Sequence, residues 1–257
     1  MAKQILTFLD RVYHHRILRR WSRWAEDAEN VDLKSLRMLR RRGRQISARV
    51  NELLYVSEGR LALPHIGSNA IQTPPTSDWA WRPELWRGPL TPRGQASVAS
   101  KTEFGQEVTV FHDCNISEIN MRQLRNQRAE DLAPFGFRVE VFRFDGSFLS
   151  LVIELPKEAT QGLKRNHLVR LNTTVELERP AEISARLNVK NGPNTDQFNR
   201  DLELEDGHAE VDFDLSYSEM NENRVERVWV DLVIKDPEMN QIILRDITFS
   251  RRPRAEL

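Results

Sequence analysis

The first part of the chain repeats its apolar residues at helical spacing. They occupy positions 5, 6, 8, 9, 12, 13, 17, 18, 21 and 24, and basic residues fill much of the remaining face. The polar run EDAEN at 26–30 interrupts this pattern, and Asn30 or Asp32 can cap a second helix after it. Residues 1–58 are therefore predicted to form a basic amphipathic helical hairpin.

The second predicted helix carries a narrow apolar seam, whose members step by three and four residues as the a and d positions of a coiled coil do. The seam consists of Leu36, Leu39, Gly43, Ile46, Val50 and Leu53. Three interpretations remain open for this segment. The hairpin closes on itself or on the rest of the protein; the seam mediates self-association or binds a protein partner; or the basic helix adsorbs to an anionic membrane surface.

From about Ala96 the apolar period changes from 3.6 to 2, which is typical of half-buried strands. The predicted strands are 107–113, 137–144, 148–155, 168–177, 183–189, 197–205, 208–215, 227–234 and 241–250. The segment 116–128 fits either a strand or a helix. Short strands at regular spacing predict a β-sandwich or jelly roll. The expected fold is mainly β: a jelly-roll-like β-sandwich over 96–257, preceded by the α-helical hairpin.

Two Asp-Gly pairs, Asp145–Gly146 and Asp206–Gly207, predict two-residue hairpin turns, because both central residues of a type I′ turn need positive φ. The second turn would set like charges directly opposite one another: Glu203 against Glu210, and Asp201 against Asp212. Such pairs destabilise a sheet. Three alternatives could offset the repulsion: solvent and salt, a bound calcium ion, or the basic residues of the first fifty positions.

A connector rich in tryptophan and proline, 59–95, links the helices to the strands. Its prolines predict an extended backbone that forms no helix. Trp79, Trp81 and Trp86 make up half of the six tryptophans in the chain. Their rings either bury themselves as a clasp against the protein or present a stacking platform to a ligand.

Charge is divided unevenly along a chain whose formal net charge is zero. Residues 1–50 contain 13 Lys and Arg against 5 Asp and Glu, whereas 101–257 contain 21 against 29. Such asymmetry indicates partner surfaces. The densest basic surface is formed by Arg40, Arg41, Arg42 and Arg44. These arginines can contact phosphates, but no nucleic-acid-binding motif accompanies them, so recognition of a specific nucleic acid is not expected.

Composition indicates a soluble globular protein, with 39% hydrophobic and 30% charged residues. No apolar run reaches the roughly 18 residues of a membrane span. The N-terminal apolar run is broken by Thr7 and lacks a cleavage site, so a secretory signal is not expected. The single cysteine, Cys114, cannot form an internal disulfide. We expect a cytoplasmic protein, either free or peripheral at the inner membrane.

Candidates for catalysis are few. His112 and Asp113 would point to opposite faces of a strand, and Cys114 returns to the histidine side without an orienting group. The six histidines lack zinc-ligand spacing, and no phosphate-binding glycine motif or nucleophile elbow occurs. We expect no catalytic residues and no cofactor or metal, apart from the calcium alternative. A carboxylate pair in the sheet would be needed for a glycan-active enzyme.

One pair of residues is the first candidate for a sugar-binding surface. Trp229 and Asp231 share a face of their predicted strand, opposite its apolar residues. An aromatic ring can stack on a sugar while a neighbouring carboxylate accepts hydrogen bonds from its hydroxyls.

Three stretches carry a family resemblance: FHDCNISEIN (111–120), the run from APFGF to IELP (133–156), and the run from WVDL to RRPRA (229–255). They resemble a protein family of unknown function from alphaproteobacteria related to Rhodobacter, which implies a bacterial cytoplasmic setting and no particular activity. The late pattern W-x-D-L followed by I-x-L-R-D-I is also similar to the closing strands of jelly-roll carbohydrate-binding modules. Those modules bring aromatic residues to a sugar-binding face.

The sequence therefore predicts a non-catalytic cytoplasmic binding or scaffold protein. The helices would mediate association and the sandwich would present a recognition surface. A carbohydrate-binding, lectin-like module is the alternative, and a glycan-active enzyme is the third possibility.

Overall fold

A computed structural model describes residues 8–62 and 70–254. The first positions of the predicted helical face and part of the connector, 63–69, lie outside the described residues. Contacts divide the chain into two compact units, Met1–Leu53 and Leu54–Leu257.

Two helices are present where the apolar period predicted them: α1 (Phe8–Glu26) and α2 (Leu33–Ala62). Asp32 caps α2, since its Oδ1 accepts hydrogen bonds from the backbone N–H groups of Lys34 (2.9 Å) and Ser35 (3.0 Å). The helix runs four residues past position 58. Within the described residues, neither helix is long and apolar enough to cross a bilayer.

The seam of α2 is covered over only part of its length. Leu36, Leu39 and Gly43 are half-buried. A Cβ atom at Gly43 would lie 3.5 Å from the Trp21 ring of α1, so the glycine allows the two helices to approach closely. The later seam residues of α2 are exposed.

The strands of the second unit form two antiparallel sheets, which confirms the predicted β-sandwich. The strands are β1 (Trp79–Trp81), β2 (Gly94–Gln95), β3 (Thr102–Phe104), β4 (Val108–His112), β5 (Ser117–Arg125), β6 (Phe135–Phe144), β7 (Leu149–Glu154), β8 (His167–Leu177), β9 (Ile183–Asn191), β10 (Asn194–Asp201), β11 (His208–Asp214), β12 (Val225–Ile234) and β13 (Asn240–Pro253). The segment 116–128, left open between strand and helix, is a strand.

Sheet A has the order β11-β8-β13-β6-β5-β2, and β1 also pairs with β13. Sheet B has the order β10-β9-β12-β7-β4-β3. The two sheets pack face to face around one apolar cluster. Alternation along β4 is typical: Val108 and Val110 are buried in the cluster, while Thr109 and Phe111 face outward. Each fully buried aliphatic side chain contributes about 1.5–3 kcal/mol to this packing.

The hairpin predicted at Asp145–Gly146 is wrong. Neither residue has positive φ, and the strands on either side, β6 and β7, belong to different sheets. The Asp145 side chain instead accepts hydrogen bonds from the backbone N–H groups of Asn115 (2.9 Å) and Ile116 (3.0 Å). Asp145 therefore stabilises the region where the chain crosses from sheet A to sheet B, and it does not form a hairpin turn.

The turn at Asp206–Gly207 is confirmed, but the register predicted beyond it is wrong. Both residues have positive φ, and Glu205 and His208 exchange backbone hydrogen bonds of 2.9 and 2.8 Å. Beyond this bridge β10 pairs with β9 and β11 pairs with β8, so the two strands separate into different sheets. Glu203 and Asp201 consequently do not pair with Glu210 and Asp212.

Arginines of sheet A neutralise the acidic residues of β11. Arg170 lies opposite Asp212 and donates to it through Nε (2.8 Å) and Nη2 (2.7 Å). Arg252 adds a third contact to Asp212 at 3.1 Å, and Arg170 also pairs with Glu210. These arginines therefore offset the negative charge of Glu210 and Asp212 within sheet A.

The connector contains one helical turn, α3 (Glu84–Arg87), where the prolines predicted none. Pro83, at φ −59°, precedes that turn and is compatible with a helix start. β1 extends alongside β13, with Trp79 opposite Arg251 and Trp81 opposite Phe249. A second four-residue helix, α4 (Lys157–Thr160), follows β7.

Candidate functional site

An open groove of about 550 Å³ lies on the outer face of sheet B. Side chains that alternate with the core residues of β4, β7, β9 and β12 line it, together with a residue just before β7. They are Thr109, Phe111, Phe148, Ser150, Val152, Glu154, Arg186, Arg227, Trp229, Asp231 and Val233. Trp229 and Asp231, the residues proposed for a sugar-binding surface, thus share one groove.

Trp229 lies at the centre of an aromatic and charged cluster. The Arg227 guanidinium carbon is 4.5 Å from the centroid of the Trp229 ring, which is a cation–π arrangement. Glu154 lies opposite Trp229 on β7 and accepts a 2.8 Å hydrogen bond from Arg227 Nε. A second contact joins Arg227 Nη2 to the same carboxylate. The glutamate therefore orients the guanidinium over the indole ring.

Asp231 is nearly buried beside this cluster and is oriented by β9. Arg186, its register partner, donates to Asp231 Oδ2 through Nε (2.9 Å) and Nη2 (2.7 Å). Asn188 donates to the same oxygen at 3.1 Å, and Gln197 donates to Asn188 Oδ1. Within the described residues, the hydrogen bonds that Asp231 accepts from Arg186 and Asn188 all end on its Oδ2. The Oδ1 atom of Asp231 is therefore left as an acceptor for a ligand.

The other wall of the groove is aromatic. Phe111 of β4 lies opposite Ser150 of β7, and Phe148 is exposed at the start of that strand. Two arginines and two carboxylates line the groove, so these four charges balance. The arrangement offers aromatic surface and oriented hydrogen-bonding groups without a net ionic preference.

The three connector tryptophans do not join this groove. Trp86 is 0% exposed, and its indole N–H donates to the Leu244 carbonyl at 2.9 Å. It is therefore inaccessible to a ligand, and the clasp interpretation applies to it. Trp79 and Trp81 are half-buried on sheet A, with ring centroids 6.4 Å apart, and Trp81 packs 5.9 Å from Phe249.

His112, Asp113 and Cys114 have structural contacts. His112 is buried, with Nε2 3.2 Å from the Val98 carbonyl oxygen. Burial raises the pKa of the Cys114 thiol, which makes it a poor nucleophile. The Asp113 carboxylate accepts hydrogen bonds from the Ser147 hydroxyl (2.5 Å) and backbone N–H (2.8 Å), and these bonds lower its pKa.

Asp113 also contributes indirectly to the groove. Its Oδ1 lies 3.3 Å from the backbone nitrogen of Phe148, which donates to it. A Cβ atom at Gly146 would lie 2.5 Å from the same oxygen, so the glycine allows the carboxylate to reach the loop. The polar sequence around 113 therefore supports the loop that carries a groove aromatic.

Several groove residues were missed by sequence reasoning: Phe111, Phe148, Glu154, Arg186 and Arg227. Each occupies or adjoins a predicted strand, so alternation could place most of them on an outward face. Which strands are neighbours decides whether such residues meet, and alternation carries no information on strand order.

A second cavity, of about 160 Å³, lies against sheet A and is lined mainly by polar and charged residues. Arg82, 1% exposed, donates to both oxygens of Asp246 at 2.8 Å. Burial raises the pKa of Asp246 despite this partner. Among the described residues, no group of three or more His, Cys, Asp or Glu side chains could hold a metal ion.

Comparison with solved structures returns distant likenesses. The enzymatically active domain of tailspike protein 4 from bacteriophage CBA120 is 8% identical, with a TM-score of 0.40 over 60% of this chain. This chain spans only 21% of the tailspike chain. The family 11 carbohydrate-binding module from Clostridium thermocellum, in complex with a mixed-linked tetrasaccharide, is 10% identical, with a TM-score of 0.36 over 64% of this chain and 98% of that one.

The CBM22-1 xylan-binding domain from Paenibacillus barcinonensis Xyn10C is 12% identical, with a TM-score of 0.36 over 63% of this chain and 97% of that one. No curated protein matches the chain. A family model described as "Family of unknown function (DUF6478)" matches residues 1–257.

Proposed function

We propose that this chain, which belongs over residues 1–257 to the family of unknown function DUF6478, is a non-catalytic binding protein. Its β-sandwich recognises a saccharide in the groove of sheet B. The observation that carries this proposal is the placement of Trp229 between two arginine–carboxylate pairs on an open sheet face. A sugar presents an apolar C–H face and polar hydroxyl edges, and the groove provides a partner for each.

The hydrogen-bonding groups suit hydroxyls for a physical reason. Bonds in which one partner is charged are shorter and about twice as strong as neutral ones. The guanidinium of Arg186 and the free oxygen of Asp231 offer a donor and an acceptor side by side. Because positive and negative groups balance in the groove, a neutral polyhydroxylated ligand is favoured over a strongly ionic one.

Arg227 must be displaced for a sugar to stack on the indole face that it covers. Its pair with Glu154 is solvent-exposed, and exposed pairs contribute about 0.2–1 kcal/mol. The cation–π contact adds about 0.5–1 kcal/mol. Covering about 100 Å² of apolar ring contributes about 2.5 kcal/mol, which offsets this cost.

The test is calorimetric titration of the full chain with a panel of neutral polysaccharides. Trp229→Ala is expected to weaken binding of the active polysaccharide at least tenfold, because the stacking surface is lost. Trp79→Ala is the matched control, since it removes a half-buried tryptophan from sheet A. The proposal fails if no polysaccharide binds, or if the control variant loses affinity and Trp229→Ala does not.

A specific observation also favours association through the N-terminal helices. Ile46, Val50 and Leu53 of the seam are 47%, 46% and 67% exposed. A second copy could cover these residues by packing seam against seam as in a helical bundle. Association would display several grooves on one particle, and linked grooves bind a repetitive ligand more tightly than single ones.

A further inference from the structure

Each helix of the N-terminal unit carries an arginine quartet with the same i, i+3, i+4, i+7 spacing. The α1 quartet is Arg16, Arg19, Arg20 and Arg23, and the α2 quartet is Arg37, Arg40, Arg41 and Arg44. At 3.6 residues per turn, each quartet lies within an arc of about 100° on its helix. All eight side chains are exposed.

The positive charge of these quartets is not neutralised locally. Among the described residues, none of the eight arginines lies within 4 Å of a carboxylate; the ion pair of this unit joins Arg49 to Glu52. No acidic residue occurs in α2 before Glu52. Like charges three and four residues apart destabilise a helix, so the quartets repel themselves until an anion binds.

The α2 quartet lies on the face opposite the apolar seam. Arg37, Arg40, Arg41 and Arg44 surround a shallow surface site completed by Gln45 and Ala48. The residues that line this site include no large apolar side chain, although Leu33, 71% exposed, lies one turn before Arg37 on the same face. A site lined by four arginines and little apolar surface is suited to phosphates held outside a hydrophobic phase.

We propose that the two arginine quartets bind the phosphate backbone of a double-stranded nucleic acid without reading its sequence. Arginine binds phosphate oxygens through two parallel N–H groups, and all eight positions are arginine rather than lysine. The α2 quartet extends about 10 Å along its helix, and phosphates follow one another every 3.4 Å along each strand of a duplex. One quartet can therefore reach several phosphates at once.

The test is fluorescence anisotropy of the full chain with a labelled 30-base-pair DNA of arbitrary sequence, between 50 and 200 mM salt. Binding is expected to be independent of sequence and to weaken steeply with salt. The variant with all four α2 arginines changed to glutamine should bind more than tenfold more weakly at 50 mM salt. The slope of log affinity against log salt should become shallower by about 3–4, since each phosphate contact contributes about 0.9.

Two further variants separate charge from structure. The same four positions changed to lysine should retain most of the salt slope, because the positive charges remain. A control with Arg122, Arg125, Arg143 and Arg224 changed to glutamine removes four exposed arginines from the sandwich and should bind as the unmodified chain does. Circular dichroism confirms that each variant keeps its helices.

Other outcomes overturn the proposal. Binding to vesicles with 30 mol % phosphatidylserine in place of DNA would identify the surface as a lipid contact. An equal loss of DNA affinity in the control variant would show that net charge, rather than the quartets, drives binding. Absence of DNA binding at 50 mM salt excludes the proposal.

Discussion

Single carboxylates in this protein are oriented by arginines on neighbouring strands or in the connector. Asp231 is bound by Arg186 of the adjacent strand, and Asp246 is bound by Arg82, 164 positions earlier in the sequence. Sequence reasoning identified Asp231 as a candidate because it shares a face with Trp229. It could not identify the arginines, because their partners depend on strand order and on the path of the connector.

His167 is the residue through which we expect acid to destabilise the sandwich. It is buried, and its Nδ1 accepts a 3.0 Å hydrogen bond from the backbone N–H of Lys164, which requires the neutral ring. Burial, followed by the positive charge of Arg251, lowers the pKa of His167 below its usual 6.5. The unfolded chain therefore binds a proton at a higher pH than the folded chain does.

The free energy of unfolding should accordingly fall as the pH drops below about 6.5, by at most about 1.4 kcal/mol per pH unit from this residue. Urea unfolding between pH 7.5 and 5 measures the slope. His167→Gln should flatten it, whereas His14→Gln, on the exposed face of α1, should leave it unchanged. Equal slopes for the unmodified chain and His167→Gln would contradict the assignment.

At the scale of elements, strand positions were predictable and strand partners were not. Alternation located β6, β7 and β12 because one face of each strand packs into the core. Of the two turns predicted from Asp-Gly pairs, the turn at 206–207 is correct and the turn at 145–146 is wrong. The backbone at 206–207 adopts the positive φ that such a turn requires, whereas the Asp145 side chain binds loop N–H groups instead.

Gly207 allows a prediction that separates backbone strain from steric contact. It has φ +81°, and a Cβ atom there would lie 2.9 Å from the Val175 carbonyl oxygen. Gly162 has φ +68° with no atom within 4 Å of its Cβ position. Gly162→Ala should therefore lower the free energy of unfolding by about 1–2 kcal/mol, the cost of the left-handed conformation alone.

Gly207→Ala should lower it further, because β8 must also move away from the added methyl group. Thermal and urea unfolding of the two variants measure the difference. A smaller loss for Gly207→Ala than for Gly162→Ala would show that the turn adapts without strain.

At the scale of the whole molecule, helix α2 passes through the boundary between the two compact units. Its last turns belong to the second unit: the Tyr55 hydroxyl donates to the Glu84 carbonyl at 2.8 Å, and Glu58 pairs with Arg93. A Cβ atom at Gly59 would meet the Arg87 carbonyl oxygen at 2.4 Å, so the glycine permits a close backbone contact. The segment boundary predicted at 58 lies among these contacts.

Two truncations test both this boundary and association. Removing residues 1–53 should leave the melting temperature of the sandwich within about 2 °C of that of the full chain. Removing 1–62 should lower it by several degrees, because the Tyr55 and Glu58 contacts are lost.

Light scattering should show an oligomer for the full chain and a monomer after the shorter truncation. Val50→Asp should also give a monomer, while Ala48→Asp, on the opposite face of α2, should not.

A monomeric full chain would exclude self-association, and equal melting temperatures for the two truncations would exclude a role for 54–62 in the sandwich.

Strand β13 lies in the interior of sheet A, between β8 and β6, and also pairs with β1. During translation, β6 and β8 emerge from the ribosome before the strand that joins them exists. The nascent sheet therefore exposes unpaired backbone groups until β13 is synthesised, a period in which chaperones or rapid elongation would protect the polypeptide from aggregation.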